Sequence, residues 1–151
     1  MKKYYFTFYG LVIGALCAVF GSIGFSVVVI AILAGIISDP TIFLASLGDG
    51  ILYSAMFSVI PGALGGAYLA RWLEKSERAP REIARHSLLV GALAGLVASL
   101  AFMGMVLQLW TDWMTYAFAA LSIAVAAGAG FLAAKFLARK KRKFVPSNPL
   151  P

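Results

Sequence analysis

Four long stretches of this chain carry no acid, base or histidine. They lie between Lys3 and Asp39, Asp49 and Arg71, His86 and Asp112, and Asp112 and Lys135. Each exceeds the roughly 20 apolar residues that a helix rising about 1.5 Å per residue needs to cross a bilayer. A soluble domain carries about a quarter of its residues as charges. Here 13% are charged, 62% are apolar and the mean hydropathy is +0.90. That excludes a soluble globular domain, a disordered chain and, with Cys17 as the single cysteine, a disulfide scaffold. The chain reads as an all-α integral membrane protein, a four-transmembrane-helix antiparallel bundle. Its helices are expected at about 9–36, 50–72, 87–110 and 113–137.

Charge then sets the expected orientation. Lys2 and Lys3 precede the first helix, Arg71 to Arg85 surround the connection between the second and third, and Lys135 to Lys143 close the fourth. All 13 Lys and Arg fall on one side of four crossings, while Asp39, Asp49 and Asp112 occupy the other. By the positive-inside rule both termini and the 73–86 connection are cytoplasmic, in a plasma (inner) membrane. The net charge of +7 is a topology signal, so no nucleic-acid partner is expected. Residues 1–138 form the membrane domain and 139–151 a basic, Pro-containing cytoplasmic tail. Arg139, Lys140, Lys141, Arg142 and Lys143 are expected against anionic inner-leaflet lipid headgroups, worth about 1 kcal/mol per basic residue.

Local signals refine this plan. Met1-Lys2-Lys3 before an apolar run resembles a signal peptide, but the run continues to Ser38, longer than a cleaved segment needs. Leu16 before Cys17 argues against a lipidated cysteine. The aromatic run Tyr4 to Tyr9 suits the cytoplasmic interface. Asp39-Pro40 predicts the cap and first turn of a short outer surface helix over 40–47, ended by Gly48, with Asp49 capping the second span. Pro80 is expected to open a second helical piece in the cytoplasmic connection. Thr111-Asp112 leaves room only for a tight hairpin, and Pro61 should kink the second span.

Small residues recur at every fourth position. The sets are Gly10, Gly14, Ala18, Ser22 and Ser26; Ser54, Ser58, Gly62, Gly66 and Ala70; Ser87, Gly91, Gly95 and Ser99; and Ser122, Ala126, Gly130 and Ala134. Spacing of four places each set on one helical ridge. Lipid gives helices no hydrophobic reason to associate, so close backbone approach and interhelical hydrogen bonds must do so. In an antiparallel first pair, Ser22 and Ser26 would meet Ser54 and Ser58. Bulk collects in the outer half, at Phe43, Tyr53, Met56, Phe57, Phe102, Met103, Trp110, Trp113 and Phe118 among others. Leu11 to Leu16 resembles Leu88 to Leu93, and Gly66 to Leu73 resembles Gly130 to Leu137. These matches point to two duplicated hairpins related by an axis along the membrane normal.

The chemistry that the spans lack narrows the function. No Asp, Glu, Lys, Arg or His sits in mid-membrane, as proton relays and ion-coupled carriers require. His86, the only histidine, does not bracket a haem on two faces. Met103 and Met105 face different ways on a helix, so copper binding is not expected, and neither cofactor nor metal is. With no nucleophile-base pair, an enzyme is not expected either. The leading expectation is a non-catalytic membrane protein acting by lateral helix packing. It would be an accessory or assembly subunit of a larger complex or a homo-oligomer, with membrane lipids and other transmembrane helices as partners. The alternative is a small channel or carrier for a neutral or lipid-like solute, its path lined by Ser22, Ser26, Ser54, Ser58 and Gln108 at an oligomer axis. A third is a membrane enzyme using His86 and Glu82 at the cytoplasmic edge.

Overall fold

The computed structural model describes residues 2–37, 40–75, 79–105 and 113–144, with side chains described over 4–32, at 48, and over 51–75, 79–104 and 115–141. Four helices follow in order: α1 Lys2–Ile37, α2 Pro40–Glu74, α3 Pro80–Met105 and α4 Trp113–Phe144. All four contain segments long and apolar enough to cross a membrane: Tyr4–Ile32, Ile51–Glu74, Pro80–Gly104 and Thr115–Lys141. The protein is an all-helical bundle of such helices.

Two boundaries differ from the sequence expectation. α2 is one helix from Pro40 through Glu74, with no break at Gly48-Asp49 to separate a surface helix over 40–47. Each of Gly48 and Gly50 costs the helix only about 1 kcal/mol relative to alanine, too little to end a long apolar segment. Pro61 also lies inside α2 without ending it. α4 runs past the expected end near 137, through Arg139 to Lys143, and stops at Phe144. Lys and Arg are good helix formers and favour the negative end of a helix dipole, so the basic run prolongs the helix. α3 opens at Pro80, where a proline's missing amide costs nothing. Thr111-Asp112, Gln108 and the tail beyond Phe144 lie outside the described residues, and the side chains of Asp39 and Asp49 likewise.

α1 and α2 form the most extensive antiparallel pair, and α3 and α4 the next. The two hairpins meet through α1 with α4, α2 with α3, and a shorter diagonal between α2 and α4. That diagonal closes the end holding the N-terminus. Leu69, Ala70 and Leu73 of α2 bury against Ala134 and Leu137 of α4, flanked by Phe6, Tyr9, Trp72, Ile83 and Val90. The outer surface is apolar on every helix: Phe20 is 70% exposed, Ile60 67%, Leu93 61% and Phe136 53%.

Candidate functional site

The site is built from two zipped hairpins. In the first, a Cβ added to Gly66 would lie 2.6 Å from the Gly14 Cα and also on the Gly10 carbonyl oxygen. One added to Gly14 would lie 2.8 Å from the Gly66 Cα and on the Gly62 carbonyl oxygen. Backbone meets backbone here, so only glycine fits. Gly62 faces the Ala18 methyl, and Gly10 faces Ala70. Towards the opposite end, serines continue the same ridges. Ser22 donates to the Ala18 carbonyl at 2.8 Å, leaving its oxygen to accept from Ser58 Oγ at 2.5 Å. Ser26 and Ser54 hydroxyls pair at 2.9 Å, and Ser54 Oγ lies 3.2 Å from the Ile51 carbonyl. Ser22 and Ser26 are almost wholly buried by this clasp.

The second hairpin repeats the plan. A Cβ on Gly130 would lie 2.8 Å from the Gly91 Cα and 2.7 Å from the Ser87 carbonyl oxygen. One on Gly95 would lie 2.6 Å from the Ala126 methyl. The contacts correspond residue by residue, at one constant offset from α1 to α3 and another from α2 to α4. Gly14 with Gly66 becomes Gly91 with Gly130, Gly10 with Gly66 becomes Ser87 with Gly130, and Ala18 with Gly62 becomes Gly95 with Ala126. Leu73 and Leu137, equivalent under the same offset, both sit in the closed end. The resemblance of the two sequence halves is therefore matched by an equivalence of packing.

The correspondence breaks at the serines. Ser22 and Ser58 map onto Ser99 and Ser122, but Ser26 and Ser54 map onto Met103 and Phe118. Ser99 is 9% exposed, and its Oγ is covered yet has no hydrogen-bond partner, so it does not reach Ser122. Met103 and Phe118 occupy the positions at which Ser26 and Ser54 pair in the first hairpin, so the second lacks that hydroxyl pair.

Because each glycine ridge is consumed within its own hairpin, the hairpins meet one another less closely. Gly21 approaches Ala129 and Val125 at 3.6 Å for a built Cβ, and Gly65 approaches Val90 at 3.3 Å. Phe57 and Phe102 meet edge to face, with ring centroids 5.7 Å apart. Between the hairpins lies a cavity of about 470 Å³ lined by all four helices. It extends from Gly14, Leu69 and Ala133 to Ile30, Met103 and Thr115, and among the described residues no Asp, Glu, Lys, Arg or His lines it. Ser22, Ser26, Ser54, Ser58, Ser99 and Ser122 supply hydroxyls, Phe57, Phe102 and Phe118 the largest apolar surfaces, and Cys17 a thiol. Ser22, Ser26, Ser54 and Ser58 thus line a space between the four helices of one chain. Sequence reasoning missed Cys17 and Gly21 as lining residues; their own four-residue spacing, on the ridge beside the serines, was the available signal.

At the closed end, the only histidine is engaged by its ring. His86 stacks on Trp72 with centroids 4.2 Å apart and planes at 16°, and Tyr68 lies 5.7 Å away. Its Nε2 is covered and without a hydrogen-bond partner, while Glu82 is exposed. Among the described residues, no three His, Cys, Asp or Glu side chains gather as metal ligands would. In the basic segment, Lys141 Nζ donates to the Leu73 carbonyl at 2.5 Å, serving one of the last acceptors of α2. Lys140 Nζ sits 5.3 Å from the Tyr9 ring centroid, Arg139 is exposed, and the side chains of Arg142 and Lys143 lie outside the described residues. No family model, curated relative or solved structure matches this chain.

Proposed function

We propose that the chain is inserted in the plasma (inner) membrane with both termini and the 75–79 connection cytoplasmic, and that it binds or carries a neutral, lipid-like solute without catalysing a reaction on it. The cavity carries this reading. A volume of about 470 Å³ lies within the range of small-molecule sites, roughly 300–1,000 Å³, and its walls are apolar with a few hydroxyls. Among the described lining residues, none offers a counter-charge to a charged solute. Insertion is supported by the apolar outer faces of the four helices, and orientation by the confinement of every Lys and Arg to one side. Anionic inner-leaflet lipid is the partner proposed for Arg139, Arg142 and Lys143, with Lys140 and Lys141 shared between lipid and the chain itself.

The test is reconstitution of the full chain into vesicles and measurement of the transfer of a fluorescent long-chain neutral probe. Transfer should exceed that of protein-free vesicles and fall when Ala119→Phe fills the cavity. Equal rates with and without protein, and no neutral lipid copurifying, would reject the reading.

An accessory or assembly role, or a homo-oligomer, is the second reading. Its small-residue ridges are occupied within the chain, so it rests instead on the large apolar outer faces, such as Leu52, Met56, Ile60, Leu64 and Tyr68 on α2. These accept lipid or a partner helix alike. Pull-down in mild detergent with mass spectrometry tests it, and recovery of a lone monomer removes it.

A further inference from the structure

We infer that the cavity opens sideways to the bilayer through the α2–α3 seam, in the half of the bundle away from the closed end, and that the Phe57–Phe102 ring pair is its gate. The occupant is then a long-chain molecule drawn from the lipid phase, not a solute delivered through water. The inference rests on the cavity reading and adds a route to it.

Exposure picks out the seam. Among the described lining residues, only Tyr53 and Phe102 are exposed, at 54% and 38%. Tyr53 lies on α2 and Phe102 on α3, the two helices of one seam. Both lie in the half of the bundle away from Leu73 and Leu137. A side chain that lines a cavity and also faces outward belongs to its rim.

Elsewhere the walls are shut by groups that do not swing aside. Lower on the same seam, a Cβ built on Gly65 would lie 3.3 Å from Val90, and Leu69 beyond it is buried. On the opposite seam, one built on Gly21 would lie 3.6 Å from both Ala129 and Val125. Backbone meets short side chains there, and Cys17, Gly21, Val125 and Ala129 are all half-buried. The ring pair differs. Phe57 and Phe102 line the cavity and meet edge to face, with centroids 5.7 Å apart and planes at 72°. A phenylalanine ring has no hydrogen bond to break, and exposed side chains change rotamer within nanoseconds. Phe102 can therefore turn towards lipid while the helices stay in place. A long neutral chain concentrates in hydrocarbon, so an opening on the lipid side meets it where it is abundant.

Cys17, the only cysteine, reports entry. It lines the cavity deeper than the rings: its neighbour Ala18 faces Gly62, whereas Ser58, next to Phe57, meets Ser22. The full chain in vesicles is treated with a maleimide carrying a long alkyl chain, which stays in the bilayer, and in parallel with N-ethylmaleimide. The ratio of the two labelling rates at Cys17 is read, so that general loosening of a variant cancels. Phe102→Ala and Phe57→Ala should each raise the ratio by about two- to tenfold, the fold-change that matches loss of one aromatic pair. Phe102→Trp should lower it, and Val125→Ala on the opposite seam should leave it unchanged. A ratio that ignores residues 57 and 102, or that answers to Val125→Ala instead, overturns the α2–α3 mouth while the cavity reading stands. No long-chain labelling of Cys17 in any variant, although both reagents label the detergent-unfolded chain, overturns both.

Discussion

Replacing Gly66 by alanine adds one methyl at the tightest point of the first hairpin. The new Cβ would sit 2.6 Å from the Gly14 Cα and 2.9 Å from the Gly14 nitrogen, against an ordinary contact of 3.4–4 Å. The obstruction is backbone, so no rotamer change relieves it. α1 and α2 must separate by about 1 Å, and a gap of that size forfeits a quarter to half of each dispersion contact along the zip. Overpacking of this kind costs about 1–3 kcal/mol. Gly24 and Gly128 supply the controls, because a Cβ at either meets nothing within 4 Å. There the substitution brings only the helical advantage of alanine over glycine, up to about 1 kcal/mol. The two kinds of glycine should therefore respond with opposite sign. Thermal unfolding in mild detergent, followed by a thiol-reactive dye on Cys17, measures it. At about 2–4 °C per kcal/mol, Gly66→Ala should lower the midpoint by about 2–12 °C, whereas Gly24→Ala and Gly128→Ala should hold or raise it. Equal midpoints for Gly66→Ala and Gly24→Ala would refute the claim that backbone contact zips the hairpin.

Other consequences follow from the same coordinates. A double-mutant cycle with Ser22→Ala and Ser58→Ala should show a coupling of about 0.6 kcal/mol, typical of interhelical hydrogen bonds in membranes, and a value near zero would remove the serine clasp as an energetic element. Lys141→Met should destabilise the bundle by about 0.3–1 kcal/mol through the exposed end of α2, seen as a small fall in the same midpoint; no change would show that the Leu73 carbonyl finds another donor. In a Cys17→Ser background, Arg85→Cys should react with an impermeant maleimide only after cells are opened, and labelling of intact cells would reverse the proposed orientation.

The sequence made some of this legible and hid the rest for identifiable reasons. Charge gaps reveal apolar helices because a buried charge is costly in hydrocarbon, so Lys3 to Asp39 and its three counterparts mark the helices before any coordinate is known. Boundaries were harder. Gly48 and Lys140 carry punctuation that matters in short soluble helices, but a long apolar segment overrides a glycine and a basic run prolongs a helix, as the ends of α2 and α4 show. Four-residue spacing assigns Gly10, Gly14, Gly62 and Gly66 to ridges, but it does not say whether a ridge meets its own hairpin or another chain. The pairing of Gly14 with Gly66, and not with a neighbour molecule, is a register that only the packed helices reveal. The cavity was hidden for the same reason, since Phe57, Phe102 and Phe118 read equally well as core filling, lipid contact or lining.

Equivalence between the hairpins explains why the cavity lies where it does. At the end near Leu73 and Leu137, the buried core is alanine and leucine, and there the arrangement closes α2 on α4. Away from that end, the differences between the copies include the two positions where Ser26 and Ser54 correspond to Met103 and Phe118. The first copy closes its serines into a hydrogen-bonded clasp, whereas in the second the covered Ser99 hydroxyl has no hydrogen-bond partner. A repeated scaffold thus carries two unlike cavity walls: a hydrogen-bonded serine clasp on the α1–α2 side, and Met103 and Phe118 at the equivalent positions on the α3–α4 side.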